Sequence, residues 1–171
     1  IFIYLNTAIN SHLRLTKSPF KGDLEGLSIF MVLSTTFFGP VSWYEQIARS
    51  EEPIFIEAHE NFQKQTVRTR CRIATANGVQ TLSVPVNGSG SIRDIHISDH
   101  NNWRHLHWQA LSSAYGSSPF FEYYADDIAP FFEKKWDSLF DYNLEITRKM
   151  CELLDLRKDI QLTDSYQGSA L

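Results

Sequence analysis

A strand–helix–strand pattern over residues 31–56 constrains the fold of this chain more than any other feature of its sequence. Residues 31–36 (MVLSTT) are a short apolar, Thr-rich run of the kind that forms a buried strand. Apolar residues then recur at helical spacing over residues 41–48, and residues 54–56 (IFI) have the composition of a second buried strand. This order predicts an α/β domain whose first two strands are parallel.

The Asn-Gly dipeptide at residues 77–78 predicts a β-hairpin. Both central residues of a type I′ turn need positive φ, and Asn-Gly is the dipeptide that meets this need best. Such a turn places Ile73 opposite Leu82 and Cys71 opposite Val84, with all four side chains on the core face. The sheet structure is therefore expected to include antiparallel as well as parallel strands.

Three arginines alternate along the first strand of this predicted hairpin. Because strand side chains alternate with period two, we expect Arg68, Arg70 and Arg72 to project from the face opposite the core, about 7 Å apart. Arginine is the preferred partner of phosphate and carboxylate groups, so this face could bind an anion. The solvated outer face of an antiparallel sheet also commonly carries charge, and the hairpin alone fits both interpretations.

The segment before the arginines favours an anion site. Residues 57–65 (EAHENFQKQ) follow a predicted buried strand, and in open α/β sheets ligands bind beyond the carboxyl ends of strands. His59 is the candidate catalytic residue for proton transfer, because histidine titrates near neutral pH and Glu57 or Glu60 could orient its ring. The candidate ligand-binding residues in and around this segment are Thr35, Asn61, Lys64, Gln65, Arg68 and Arg70.

The second half of the chain is predicted to be mainly helical and holds most of the aromatic residues. Asn102 is in position to cap the first helix. Residues 118–124 (SPFFEYY) lie between predicted helices and could form a platform for a sugar or base ring, or cover a further C-terminal segment. The predicted elements are helices over residues 103–115, 127–140 and 143–155, and strands over residues 92–97 and 159–162. The whole pattern predicts a single α/β domain with a small mixed sheet, a β-hairpin and about four packing helices.

Composition argues against several classes of function. The formal net charge of −4 argues against a dedicated nucleic-acid-binding protein, and no apolar run approaches the roughly 18 residues of a transmembrane segment. Two cysteines are too few for a disulfide scaffold and indicate a reducing compartment, which predicts a cytoplasmic protein.

The sequence contains no motif that identifies a reaction. His105 and His107 diverge on the predicted helix, so no metal site is expected, and His107 is predicted to lie in the core with Cys71. The chain has no GxSxG, P-loop or GxGxxG motif. The sequence defines neither a cofactor nor an oligomeric state.

The first methionine, Met31, divides the chain. Residues 1–30 lack sustained periodicity, a basic leader and a small-residue cleavage site, so we expect a non-native or upstream extension and not a signal peptide. An additional N-terminal element that docks on the domain is the alternative. Residues 31–171 are expected to form the domain, which we expect to continue beyond Leu171.

Several sequence blocks occur in an order shared with a known family. The blocks are FFGPVSWYEQI, HENFQKQTVRTRCRI, ANGVQTLSVPV and WRHLHWQALSSAYGSSPFFEYY, followed by a Leu-rich helical tail, and they span about residues 32–165. In this order the chain resembles the WbqC-like family. The residues that match the recurring polar pattern of that family are Thr35, His59, Asn61, Lys64, Gln65, Arg68, Arg70, Trp103, His107 and Tyr115. Thr69 departs from the family pattern, which often has Asn at this position.

The resemblance implies a part in the synthesis of bacterial surface polysaccharides of the O-antigen type, because genes of this family lie in such clusters. It implies no established reaction. With the anion site, it leads to the hypothesis of a transferase-like enzyme that binds a small anionic ligand, an activated donor such as a nucleotide sugar. A non-catalytic binding or scaffold protein of a glycan-synthesis cluster is the alternative, so the sequence leaves open whether the protein is an enzyme.

Overall fold

The computed structural model describes residues 31–50 and 53–168 of the chain. Within these residues lie seven strands: β1 (Met31–Leu33), β2 (Ile54–Ile56), β3 (Arg70–Thr75), β4 (Gly78–Ser83), β5 (Val86–Asn87), β6 (His96–Ile97) and β7 (Ile160–Leu162). The same residues form five helices: α1 (Val41–Arg49), α2 (Trp103–Tyr115), α3 (Phe121–Ile128), α4 (Pro130–Glu133) and α5 (Leu139–Leu153). The predicted single α/β domain with small sheets and a hairpin is confirmed. The expected N-terminal extension, residues 1–30, lies outside the described residues.

The first two strands are parallel, as the strand–helix–strand pattern predicts. Strands β1, β2 and β7 form a parallel sheet with β2 in the centre, in which Met31 pairs with Ile54 and Ile54 pairs with Ile160. All three residues of β2 are buried, as expected for a central strand whose two faces are both covered. Because the three strands run in the same direction, their carboxyl ends meet at one edge of the sheet.

The hairpin forms, but its turn differs from the prediction. Thr75 pairs with Gly78, so the central turn residues are Ala76 and Asn77, and the positive φ (108°) is found at Gly78. The Thr75 hydroxyl accepts the amide N–H of Asn77 at 3.2 Å and donates to the carbonyl of Gly78 at 2.8 Å. These two bonds favour the observed turn, and the predicted type I′ turn at residues 77–78 is wrong.

The shift in register leaves the core face of the hairpin unchanged. Cys71 pairs with Leu82 and Ile73 pairs with Gln80, two residues away from the predicted pairing. Side chains alternate with period two, so a shift of two residues keeps each of them on its own face. Cys71, Ile73, Leu82 and Val84 are all buried, as predicted. Burial raises the pKa of the Cys71 thiol to about 12, which makes it a poor nucleophile at neutral pH.

Element boundaries in the second half differ from the prediction. The predicted helix over residues 127–140 is replaced by the shorter helices α3 and α4, and Pro130 occupies the start of α4, where its missing N–H needs no partner. Helix α5 begins earlier than predicted because the Ser138 side chain accepts the amide N–H of Asp141 at 3.2 Å. Asn102 has a left-handed φ of 49° and makes no capping bond with its side chain, so its predicted role as a cap is wrong.

The predicted strand over residues 92–97 is only partly correct. Residues Ile92–Asp94 form a 3₁₀ turn, and only His96–Ile97 pairs as a strand. The Ser91 hydroxyl accepts the amide N–H of Arg93, a local bond that competes with strand pairing at this point. The turn places the buried side chain of Ile92 in the core and leaves Arg93 at the surface.

Aromatic side chains form much of the hydrophobic core. The Phe37 ring, which is completely buried, lies 6.0 Å from the rings of both Tyr142 and His107, measured between centroids. His107 is only 8% exposed, which confirms its predicted place in the core. Many of the aromatic side chains are thus used for core packing, whereas Phe120 and Tyr123 are 69% and 74% exposed.

Candidate functional site

Polar residues follow all three strands at the carboxyl edge of the parallel sheet. Residues 34–36 follow β1, residues 57–60 follow β2, and Thr163 follows β7. The ladder continues briefly past the strands, because Glu57 N–H donates to the carbonyl of Leu33 at 2.8 Å and Thr163 N–H donates to that of Ile56 at 3.1 Å. In open α/β sheets this edge is where ligands bind, so it is the candidate site here.

Glu57 holds the segments after β2 and β7 together. Its side chain is completely buried and accepts three hydrogen bonds: from the His59 amide at 2.8 Å, the Thr163 hydroxyl at 2.8 Å and the Gln167 amide at 2.7 Å. The Thr163 hydroxyl also accepts the amide N–H of Ala58 at 3.1 Å. Both carboxylate oxygens are therefore engaged, which gives Glu57 a positioning role and not a role in orienting the His59 ring.

His59 is exposed at this edge, and a backbone carbonyl fixes its ring. Its Nε2 lies 3.0 Å from the carbonyl oxygen of Thr163. A carbonyl can only accept, so Nε2 carries the proton in this bond, and the neutral ring presents an unprotonated Nδ1. Among the described residues Nδ1 has no hydrogen-bond partner. The expectation that Glu57 or Glu60 orients the ring is wrong, because both carboxylates bind other groups.

Arg68 does not lie on a surface with Arg70 and Arg72, and this expectation is also wrong. Strand β3 begins only at Arg70, so the period-two alternation does not extend back through the turn that contains Arg68. Arg68 is 2% exposed and forms an ion pair with Glu60, which is 4% exposed. Its Nε donates to Glu60 Oε1 at 2.8 Å, and its Nη2 donates to Glu60 Oε2 and, at 2.8 Å, to the Ser34 hydroxyl.

The interior beneath the site is a connected polar cluster. The Ser34 hydroxyl donates to Glu60 Oε2 at 2.9 Å, and Asn143 of α5 donates to the backbone carbonyl of Arg68 at 2.9 Å and to the Thr35 hydroxyl at 3.4 Å. Thr35 is 1% exposed, so it belongs to this interior cluster and not to the surface. The ion pair and its neighbours therefore tie the ends of β1 and β2 to α5.

The remaining predicted site residues lie nearer the surface. Asn61, Lys64 and Gln65 are exposed in the loop between β2 and β3, and Arg70 is half-buried. Backbone hydrogen bonds to residues 90–92 hold the start of the loop. Phe62 N–H donates to the backbone carbonyl of Gly90 at 2.7 Å, and Ile92 N–H donates to the backbone carbonyl of Glu60 at 3.0 Å. An isolated bridge pairs Asn61 with Ser91. The structure thus separates the predicted set into interior and exposed residues.

Arg93 is a residue of this edge that the sequence reasoning missed. Its Nε donates to the carbonyl of Ala58 at 3.2 Å, and its guanidinium carbon lies 4.9 Å from the centroid of the Phe140 ring. The side chain is exposed, immediately beside the peptide bond that leads into His59. The sequence pattern predicts a strand over residues 92–97, whereas residues 92–94 form a 3₁₀ turn, so no periodicity in the sequence singles out Arg93.

A concave feature lies elsewhere in the fold, and no residue of this edge lines it. An apolar pocket opens between the inner face of the hairpin and helices α2 and α3, and its walls include Cys71, Ile73, Trp108, Tyr115, Phe121 and Tyr124.

Within the part of the chain that the structure describes, no group of three or more His, Cys, Asp or Glu side chains could hold a metal ion. Over residues 31–50 and 53–168, no helix combines the length and the apolar character needed to cross a bilayer.

Comparison with known proteins defines the family. A sequence model of the WbqC-like protein family matches residues 35–171, so the chain belongs to that family. The uncharacterized protein Rv1507c of Mycobacterium tuberculosis is 30% identical over 130 residues, which cover 73% of this chain and 55% of the mycobacterial protein. The chain thus spans about half the length of the curated relative that it matches. No solved structure matches this chain.

Proposed function

We propose that this protein takes part in the synthesis of bacterial surface polysaccharides of the O-antigen type and acts in the cytoplasm. The candidate site binds a small anionic activated donor, such as a nucleotide sugar. Membership of the WbqC-like family supports the polysaccharide context. The free thiols of Cys71 and Cys151 are compatible with a reducing compartment.

The observation that carries the proposal is the state of His59. Nε2 lies against the carbonyl of Thr163, so in the neutral ring Nδ1 is the nitrogen that can accept a proton at the carboxyl edge of the sheet. Asn61, Lys64, Gln65 and Arg70 are exposed or half-buried around the following loop and could hold the phosphates and the sugar. Thr35 and Arg68 act beneath them as positioning residues.

The proposed reaction is a group transfer. Nδ1 of His59 takes the proton from a hydroxyl or amine of the acceptor while that atom bonds to the activated carbon of the donor. The bond from this carbon to the phosphate oxygen breaks, and the nucleoside diphosphate leaves with the electron pair. Cationic side chains at the site stabilise the charge that develops on the leaving phosphate.

A thermal-shift screen with nucleotide sugars tests this function. A donor present at about 100 times its dissociation constant stabilises the folded protein by about 2.7 kcal/mol, which raises the melting temperature by roughly 5–10 °C. We expect Arg70→Ala to reduce this shift, and the control Arg49→Ala, which removes an exposed side chain at the end of α1, to retain it. His59→Asn should keep donor binding and lose turnover.

A non-catalytic binding function is the second candidate. The exposed rings of Phe120 and Tyr123 lie in and beside α3, which also lines the apolar pocket, and such a patch is typical of an interaction surface. The same screen separates the two functions. The absence of a shift with any nucleotide sugar, together with an unchanged Arg70→Ala protein, would contradict donor binding and favour a scaffold.

A further inference from the structure

We propose that Arg93 is a phosphate-binding residue of the candidate site and that it holds the anionic part of the ligand through its two Nη groups. This inference rests on the proposed function, because it places the anion at the same edge of the sheet. It adds a residue that neither the sequence pattern nor the family comparison identifies. The ligand chemistry is a phosphate or pyrophosphate group.

The backbone places Arg93 at this edge with several independent contacts. Ser91 accepts the amide N–H of Arg93 with its hydroxyl at 3.3 Å, and the neighbouring Ile92 is completely buried. Ile92 N–H also donates to the carbonyl of Glu60 at 3.0 Å. The short turn is thus anchored both to the core and to the segment that follows β2, so the position of Arg93 does not depend on a free loop.

The guanidinium is held in one orientation. Its Nε donates to the carbonyl of Ala58, and its guanidinium carbon lies over the buried Phe140 ring, 4.9 Å from the ring centroid. Arginine has five N–H donors, and only the Nε donor has an acceptor among the described residues. The Nη1 and Nη2 donors therefore remain for a ligand, in the fork geometry that suits two phosphate oxygens.

His59 follows directly on the residue that Arg93 contacts. The Ala58 carbonyl, which accepts from Arg93 Nε, belongs to the peptide unit that joins Ala58 to His59. The isolated bridge between Asn61 and Ser91 also joins the segment after β2 to the turn that carries Arg93. Arg93 is therefore anchored to the same backbone segment that carries His59.

The other arginines are less suited to this role. The charge of Arg68 is neutralised by Glu60 in the interior. Arg72 is exposed on the outer face of the hairpin, where nothing fixes its side chain among the described residues. Arg93 differs from Arg72 because its side chain is pre-oriented, which lowers the entropy lost when a ligand binds.

Calorimetric titration with inorganic pyrophosphate at low ionic strength tests this inference. We expect Arg93→Gln to weaken binding about tenfold or more, because one charge-assisted bidentate contact is lost. Arg93→Lys should bind with intermediate affinity, since it keeps the charge without the fork. The matched control Arg72→Gln removes an equal charge from the hairpin and should bind within about twofold of the unaltered protein.

The outcomes separate the two proposals. If the unaltered protein binds pyrophosphate and Arg93→Gln binds it equally well, the role of Arg93 is wrong and the candidate site stands on its other residues. If the unaltered protein binds no pyrophosphate, both the inference and the anionic-donor proposal are overturned. If Arg93→Gln is thermally unstable without any ligand, Arg93→Lys is compared with the unaltered protein instead. Equal pyrophosphate binding by these two proteins would overturn the proposed bidentate contact of the Arg93 guanidinium.

Discussion

Replacing Glu60 with Gln is expected to lower the free energy of unfolding by about 3–5 kcal/mol. The carboxylate of Glu60 accepts from Nε and Nη2 of Arg68 and from the Ser34 hydroxyl, and both charged side chains are almost completely buried. The amide keeps the shape of the side chain but removes the counter-charge. Arg68 then remains as an uncompensated charge in the interior, and chemical denaturation measures the resulting loss.

Two further variants show whether the loss comes from the unpaired charge. The double variant Glu60→Leu with Arg68→Met removes both charges and should recover much of the stability, since apolar replacement of a buried ion pair is often neutral. Glu45→Gln disrupts the exposed pair with Arg49 on α1 and should cost less than about 1 kcal/mol. A loss for Glu60→Gln as small as that for Glu45→Gln would contradict the account of the interior cluster.

His107 is expected to make the stability fall as the solution is acidified. Burial lowers the pKa of its imidazole from 6.5 to about 4, so the folded protein keeps the ring neutral at a pH where the unfolded chain protonates it. Between these two values the unfolded state binds the extra proton, and the free energy of unfolding decreases as pH falls. The decrease in the free energy of unfolding begins below about pH 6.5 and reaches about 3 kcal/mol near pH 4.

The variant His107→Gln isolates this contribution from that of the carboxylates. Nε2 of His107 accepts the amide N–H of Ser83 at 3.3 Å, and the Gln carbonyl oxygen can replace it as acceptor. Denaturant titrations over a series of pH values should show a shallower decrease on acidification for this variant than for the unaltered protein. Parallel curves for the two proteins would show that His107 is not held neutral by the core.

Local patterns predicted the parts of the fold that depend on neighbouring residues. The order β1, α1, β2 follows from apolar runs and helical spacing, and the core face of the hairpin follows from period-two alternation. The predicted register of the hairpin is wrong because the turn residues are selected by hydrogen bonds of the Thr75 side chain and not by the Asn-Gly dipeptide alone. The error of two residues left the faces intact.

The candidate site was less predictable because its contacts join distant parts of the chain. Arg68 belongs to the interior through Glu60 and Ser34, and the His59 ring is fixed by Thr163, more than a hundred residues away. The spacing of residue types along the sequence does not predict contacts between residues so far apart. Period-two alternation predicts Arg68 on the outer face with Arg70 and Arg72, but residues 64–69 turn before β3 begins, so of the three only Arg70 and Arg72 lie on that face.

Mapping the binding of uridine diphosphate by amide chemical shifts tests the central claim most directly. The claim is that an anionic ligand binds at the carboxyl edge of the sheet formed by β1, β2 and β7. We expect the largest shift changes for residues 57–65, 70, 91–93 and 163–167, with little change at the hairpin tip. Changes concentrated at the hairpin tip or along α3, with residues 57–63 unaffected, would contradict it.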